Sequence, residues 1–173
     1  MKNKIFYAID TYDLDTAKNL AREIGPVTTA LKIGLEFFSA HGPQGITDIQ
    51  NSSPDSDLFL DLKYHDISNT VAGAIKSITQ RLRPAYLTIH CSGGLEMMKA
   101  ARDACPPETK ILGVSVLTSL SAGDIVDVGF QGGATENVLR LAMLAQQAGL
   151  DGVVCSALEI VLVRETCGQD FEL

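Results

Sequence analysis

Hydrophobic positions along the chain follow two alternating periods. Short runs rich in β-branched and aromatic residues have the length and composition of buried strands. Between them lie stretches with apolar residues at the i, i+3, i+4, i+7 spacing of one buried helical face. The predicted strands are residues 5–9, 28–33, 58–63, 86–90, 110–116 and 152–156. The helical stretches include 13–25, 68–82, 95–105 and 136–149. The repeating unit is therefore strand, loop, helix, loop.

Residues typical of helix ends support these boundaries. Gly25, Gly149 and Gly168 follow helical runs at the position of a C-cap glycine. Ser156 and Glu159 have the spacing of a capping box directly after a predicted strand, which predicts a helix that begins there.

The order of elements is compatible with two architectures. Nearly all-apolar strands that alternate with helices indicate a parallel sheet covered by helices, either an open doubly wound sheet or a closed (β/α)8 barrel. A dinucleotide-binding doubly wound sheet would follow its first strand with G-x-G-x-x-G, whereas IFYAID runs into TYDLDTA without a glycine. Polar residues instead occur at or just after the ends of several strands, which is typical of a TIM-barrel active site. These residues are Asp10, Lys32, Asp61, Lys63, His90, Thr118 and Ser119.

The number of units is smaller than a closed barrel requires. Six complete βα units can be identified, and residues 171–173 predict the beginning of a seventh strand. A barrel needs about eight units and roughly 200 residues. We therefore expect residues 1–173 to form a single TIM-barrel domain that is incomplete at its C-terminal end.

Composition narrows the range of partners. The chain has 46% hydrophobic residues, and 14 Lys and Arg against 21 Asp and Glu give a net charge of −7. Without a basic run, nucleic acid is not an expected partner. No apolar stretch reaches the roughly 18 residues that span a bilayer, and the N-terminus does not fit a signal peptide. Four scattered cysteines without a C-x-x-C pair predict reduced thiols in a cytoplasmic protein.

The segment Phe59–Val71, FLDLKYHDISNTV, carries more charge than a buried strand normally does. By strand alternation, Asp61 and Lys63 share the face of Phe59, and the leucines between them face the helices. Asp66 follows in the next loop, and ALKIG offers Lys32 as a second inward lysine one strand earlier. Ion pairs at the surface are the ordinary explanation of such a triplet. Its position inside an apolar strand favours a site that handles charge.

This segment resembles the signature of the orotidine 5'-phosphate decarboxylase family, and the similarity extends over essentially the whole chain. In order and spacing, bacterial members are similar to AID, LKIGLEFFSAHGP, HCSGG, LGVSVLTSL, VVCSALE and RETCGQDFEL. Tyr64 and Ser68 are mild departures, since phenylalanine and proline are commoner there. The resemblance implies that orotidine 5'-phosphate is decarboxylated to UMP in de novo pyrimidine biosynthesis, with no metal or organic cofactor.

The resemblance also implies a role for individual residues. Lys63 would be the proton donor to C6 of the pyrimidine, in a catalytic tetrad of Lys32, Asp61, Lys63 and Asp66. In that family Asp66, Ile67 and Thr70 reach the site of the neighbouring subunit, which implies a homodimer with shared active sites. The implied substrate-binding residues are Asp10, Lys32, Asp61, Lys63, Asp66, Ile67, Thr70, Thr118 and Ser119. Of these, Asp10 and Lys32 would contact the ribose, and Thr118 or Ser119 the pyrimidine or its surroundings.

Two alternatives remain open from the sequence. A magnesium-dependent sugar-phosphate decarboxylase or a hexulose-phosphate synthase would also carry a D-x-K-x-x-D core, although HDISNTV and Lys32 argue against both. The chain could also be an inactive, truncated fragment that folds or dimerises without turnover. The family's phosphate-binding Gln and Arg would lie just past Leu173.

Overall fold

In residues 5–173, which the computed structural model describes, six strands form one sheet in the order of the chain. The strands are β1 Phe6–Ile9, β2 Ala30–Gly34, β3 Asp57–Tyr64, β4 Tyr86–His90, β5 Lys110–Val114 and β6 Gly152–Val154. The helices are α1 Leu14–Ile24, α2 Leu35–Ser52, α3 Ser68–Leu82, α4 Leu95–Ala104, α5 Ala122–Asp127, α6 Ala134–Gln147 and α7 Ile160–Cys167. All six predicted strands and the four predicted helices are confirmed, with shifts of a few residues at their ends.

The topology distinguishes between the two candidate architectures. Every pair of neighbouring strands is parallel, and the order β1 to β6 never reverses. A doubly wound sheet reverses its strand order at a switch point, whereas a barrel adds each strand beside the previous one. The sheet is therefore part of a (β/α)8 barrel, as predicted.

A seventh position of the sheet begins at the end of the chain. Glu172 forms a parallel bridge with Gly152 at the start of β6. The Glu172 N–H donates to the carbonyl of Asp151 at 3.0 Å, and the Val153 N–H donates to the carbonyl of Glu172 at 2.9 Å. The predicted opening of a seventh strand in residues 171–173 is thus confirmed.

The two faces of the sheet have different cores. Leu58 and Leu60 on β3 are buried in the main cluster that the outer face forms with the helices. Phe59 points the other way and packs with Ala30, Leu112 and Tyr86 on the inner face. The alternation predicted for β3 is confirmed, and the rings of Phe59 and Tyr86 lie 5.6 Å apart on the inner face.

Two of the three predicted C-cap glycines adopt the expected conformation. Gly149 and Gly168 have φ angles of 79° and 84°, in the left-handed region that favours glycine. Gly25 is different: its φ is −50°, and the chain continues into a short 3-10 helix over Gly25–Val27. A Cβ atom at Gly25 would overlap the side chain of Ser53, so close packing rather than a turn requires glycine there.

The predicted capping box after β6 is wrong. Ser156 accepts a hydrogen bond from the Leu158 N–H at 3.2 Å, and α7 begins only at Ile160, with Glu159 as its N-cap. A serine hydroxyl that bonds its own backbone two residues on forms a turn instead of a helix cap.

The cysteines and the lengths of the helices are the features on which the predictions from composition depend. Cys91, Cys105 and Cys167 are buried, Cys155 is half-buried, and all four are free. Across residues 5–173, no helix combines the length and apolar character needed to cross a membrane.

Candidate active site

The candidate site is built around an irregularity at the end of β3. Leu60 pairs with Leu87 and Tyr64 with Ile89, so four residue steps on β3 oppose two on β4. The two extra residues form a bulge. Because their number is even, the side chains before and after the bulge keep the same alternation between the two faces of the sheet. Lys63 lies in this bulge with a φ of 50°, a left-handed conformation that few residues other than glycine adopt. Such backbone strain is common at functional sites.

The side chains of Lys63 and Lys32 converge on one carboxylate. The Nζ atom of Lys63 lies 2.9 Å from Oδ1 and 2.8 Å from Oδ2 of Asp61. The Nζ atom of Lys32, on the neighbouring strand, lies 3.3 Å from Oδ2. The Asp61 side chain is only 13% exposed, and the two lysine side chains are about one-third exposed. Three of the four residues of the predicted tetrad are therefore in direct contact.

Asp61 is held in its ionised form by this environment. Burial by itself raises the pKa of the carboxyl group. Hydrogen bonds from Lys63 and Thr88, together with the positive charges of both lysines, outweigh burial and bring the pKa of Asp61 below its usual value.

Thr88 is a site residue that the sequence reasoning missed. Its hydroxyl donates to Oδ1 of Asp61 at 2.8 Å and accepts from the Lys63 N–H at 2.9 Å. The signal was present in YLTIH, where alternation puts Tyr86, Thr88 and His90 on one face. A threonine on that face is fully buried beside the charged cluster.

A cavity of 330 Å³ opens beside the cluster at the C-terminal ends of the strands. Its polar side carries Lys32, Asp61 and Lys63. The remaining wall is mostly apolar and consists of Phe59, Val114, Val116, Leu117, Thr118, Val154 and Cys155. Thr118 lines the cavity, whereas the neighbouring Ser119 is not among its lining residues, and both are exposed. An ammonium beside an apolar wall can stabilise negative charge that develops on a bound ligand.

Asp66, Ile67 and Thr70 lie outside the cavity of their own chain. All three are exposed in the loop after β3 and the first turn of α3. The Asp66 carboxylate accepts a hydrogen bond from the Ile67 N–H at 2.7 Å. In the described part of the chain, Asp66 forms no ion pair with either lysine.

Asp10 lies at the upper edge of the sheet. It directly follows β1, whose last residue Ile9 pairs with Ile33 of β2. If the same register continues by one residue, Asp10 lies beside Gly34 of β2. Gly34 in turn pairs with Asp61 of β3, so Asp10 and Asp61 are at the same height on the sheet. Asp10 is exposed and is not a lining residue of the cavity.

His90 and Cys155 lie at the rim of the site. The rings of His90 and His65 are 5.4 Å apart. Burial, followed by the nearby His65 and Lys63, lowers the pKa of His90. Burial and then the charge of Glu159 raise the pKa of Cys155, which disfavours the thiolate that a cysteine nucleophile requires. No group of three or more potential metal-ligating side chains occurs within residues 5–173.

Comparison with known proteins places these features in a family. The sequence model described as "Orotidine 5'-phosphate decarboxylase / HUMPS family" matches residues 3–173. The orotidine 5'-phosphate decarboxylase of Novosphingobium aromaticivorans is 48% identical over 165 residues, which cover 95% of this chain and 72% of the relative. That of Ehrlichia canis is 44% identical over 172 residues, which cover 99% and 74%. This chain thus spans roughly three quarters of the length of these relatives.

The fold of this chain is also similar to that of a solved structure from the same family. The crystal structure of orotidine 5'-phosphate decarboxylase from Lactobacillus acidophilus matches with a TM-score of 0.84 and 33% sequence identity. The match covers 97% of this chain and 78% of that one.

Proposed function

The chain belongs to the orotidine 5'-phosphate decarboxylase / HUMPS family, and from this we propose that it is a lyase that decarboxylates orotidine 5'-phosphate to UMP in pyrimidine biosynthesis. The observation that carries the proposal is the Asp61 carboxylate held between two lysines at the mouth of an apolar cavity. The names of the relatives support the decarboxylase branch of the family over the synthase branch.

Lys63 is the proposed proton donor. When the bond between C6 and the carboxylate breaks, CO2 leaves and the electron pair stays on C6. An ammonium fixed next to C6 offsets this charge and then transfers a proton to the carbon, after which the amine regains a proton from solvent. Asp61 occupies at most two of the three ammonium hydrogens of Lys63. Within the described residues the third has no acceptor, which supports a role in proton transfer.

Asp61 and Lys32 are the proposed orienting groups. Because both Asp61 oxygens accept from Lys63, the ammonium cannot swing away from the cavity without losing two charge-assisted hydrogen bonds. Lys32 donates a further hydrogen bond to Oδ2 of the carboxylate from the neighbouring strand. Contacts within the chain hold this geometry, so little reorganisation is needed when charge develops. The chemistry requires no metal or organic cofactor.

The remaining predicted residues have proposed roles in binding. Asp10 and Lys32 would contact the ribose, which is supported by the common level of Asp10 and Asp61 in the strand register. Thr118, in the cavity wall, and Ser119 beside it would lie near the pyrimidine.

A homodimer with shared active sites is proposed for the assembly. Ile67 is 73% exposed although it is apolar, and it lies between Asp66 and the start of α3 on the same rim as the cavity. A neighbouring subunit that covers this loop would bury Ile67 and bring Asp66 to a second site.

The free thiols support the predicted cytoplasmic location, since reducing conditions keep cysteines unpaired.

The test is turnover and binding by the purified 173-residue chain. We expect conversion of orotidine 5'-phosphate to UMP in the presence of EDTA, and saturable binding of UMP by calorimetry. Turnover that requires added magnesium would contradict the cofactor-free mechanism. Binding of UMP without turnover would support the alternative of a chain that folds without catalysing, and absence of both would contradict the proposal.

A further inference from the structure

We propose that Thr88 is a positioning residue of this site, whose hydroxyl fixes the Asp61 carboxylate and the Lys63 backbone in one mutual geometry. The effect of Thr88 on the rate of decarboxylation rests on the proposed function. Its effect on the backbone of Lys63 does not, so the two effects are measured separately.

The Thr88 hydroxyl uses both of its hydrogen-bonding capacities on the site. It accepts from the Lys63 N–H at 2.9 Å and donates its only hydrogen to Asp61 at 2.8 Å. One side chain on β4 therefore joins the backbone of one catalytic residue to the carboxylate of another. Because a hydroxyl has one hydrogen, the donation to Asp61 fixes its orientation and leaves its lone pairs to Lys63.

The contact with Lys63 meets a need that the bulge creates. The pairing of β3 with β4 is interrupted between Leu60 and Tyr64, and the Lys63 N–H lies in that interval. A backbone N–H away from water must find an acceptor. In the described residues that acceptor is Thr88, whose side chain is fully buried. The hydroxyl thus supports the left-handed conformation that directs Lys63 into the cavity.

The contact with Asp61 completes the bonding of the carboxylate. Oδ1 accepts from Thr88 and Lys63, and Oδ2 accepts from Lys63 and Lys32. Both oxygens thus have two donors, so any rotation of the carboxylate breaks several bonds at once. Thr88 is the uncharged member of this set, and its hydrogen bond also helps to lower the pKa of Asp61.

Thr88→Val and Thr88→Ser separate the hydroxyl from the methyl group. Valine keeps the shape of the side chain and removes the hydroxyl, whereas serine keeps the hydroxyl and removes the methyl. If valine prevents folding, Thr88→Ala compared with Thr88→Ser isolates the hydroxyl, because these two variants both lack the methyl group. Thr109→Val is the matched control, because Thr109 is also fully buried and donates to the carbonyl of Pro84, away from the cavity.

Two readouts decide the question. Amide hydrogen exchange at Lys63, followed by NMR on the full chain, should be faster in Thr88→Val and close to the original in Thr88→Ser and Thr109→Val. With orotidine 5'-phosphate, kcat should fall about tenfold or more in Thr88→Val with little change in KM, since one hydrogen bond that orders the reacting groups is lost. The low-pH limb of the kcat/KM profile should also move to higher pH.

The results that overturn the proposal are specific. Unchanged exchange and kcat in Thr88→Val would show that the hydroxyl does not position either residue. Losses in the serine variant as large as those in the valine variant would show that the hydroxyl does not account for the effect, since serine retains it. If the unmodified chain shows no decarboxylation, the proposed function fails, and exchange at Lys63 still decides whether Thr88 holds the geometry.

Discussion

The ammonium nitrogen of Lys63 lies within 2.9 Å of both carboxylate oxygens of Asp61, two residues earlier on the same strand. Residues two apart on a regular strand point the same way but are about 7 Å apart along it, which leaves their side-chain ends free to separate. Here the bulge and the positive φ of Lys63 bring the two groups together. The end of β3 therefore holds Asp61 and Lys63, which occupy successive inward positions, in a fixed ion pair.

Replacement of Lys63 by alanine should abolish decarboxylation. It removes the group that both offsets the charge on C6 and delivers the proton, so we expect kcat to fall by at least about 1000-fold. Lys99→Ala is a matched control, since Lys99 forms an exposed pair with Glu96 on α4. Steady-state kinetics of both variants, with circular dichroism to verify folding, gives the answer. Retained turnover in Lys63→Ala would refute the assignment of the proton donor.

Asp61→Asn should change how stability depends on pH. Hydrogen bonds and nearby lysines overcome the effect of burial and lower the pKa of Asp61, so the ionised form stabilises the fold. This contribution is fully present above the ordinary carboxyl pKa of 3.8 and is lost as the pH falls through the lowered value. The loss of unfolding free energy in Asp61→Asn should therefore be larger at pH 6 than at pH 3. Urea denaturation at the two pH values measures it, and equal losses would contradict the prediction.

The sequence predicted those parts of the site that depend on periodicity. Alternation along β3 was enough to direct Asp61 and Lys63 inward, and the absence of a glycine-rich turn after β1 was enough to choose the barrel. The bulge could not be predicted from the sequence, because the register between β3 and β4 depends on pairing across strands. Alternation in YLTIH is enough to place Thr88 on the inner face, but not to show its partners. Its role depends on a neighbour 25 residues away, across the pairing of β3 with β4.

Arg102→Ala should destabilise the fold without affecting the site. The guanidinium donates to Asp151 at 2.7 Å and to the carbonyls of Cys105, Pro106 and Thr109, and so ties the end of α4 to the segments before β5 and β6. Loss of a half-buried charged group with several acceptors should cost about 2–4 kcal/mol of unfolding free energy. Lys99→Ala on the same helix should cost less than about 0.5 kcal/mol. Chemical denaturation measures both, and a similar small cost for the two variants would contradict this role of Arg102.

Active-site complementation tests whether two subunits share each site. If Asp66 serves the cavity of its partner, Lys63→Ala and Asp66→Ala should each be inactive as homodimers, since every site then lacks one group. When the two variants are mixed and exchange subunits, hybrid dimers form that contain one subunit of each variant. In a hybrid, one site carries both substitutions and the other carries neither. Random exchange of equal amounts makes half of the dimers hybrid, so about a quarter of all sites should be intact. Activity that does not recover on mixing, although subunit exchange is demonstrated, would mean that Asp66 acts within its own chain or not at all.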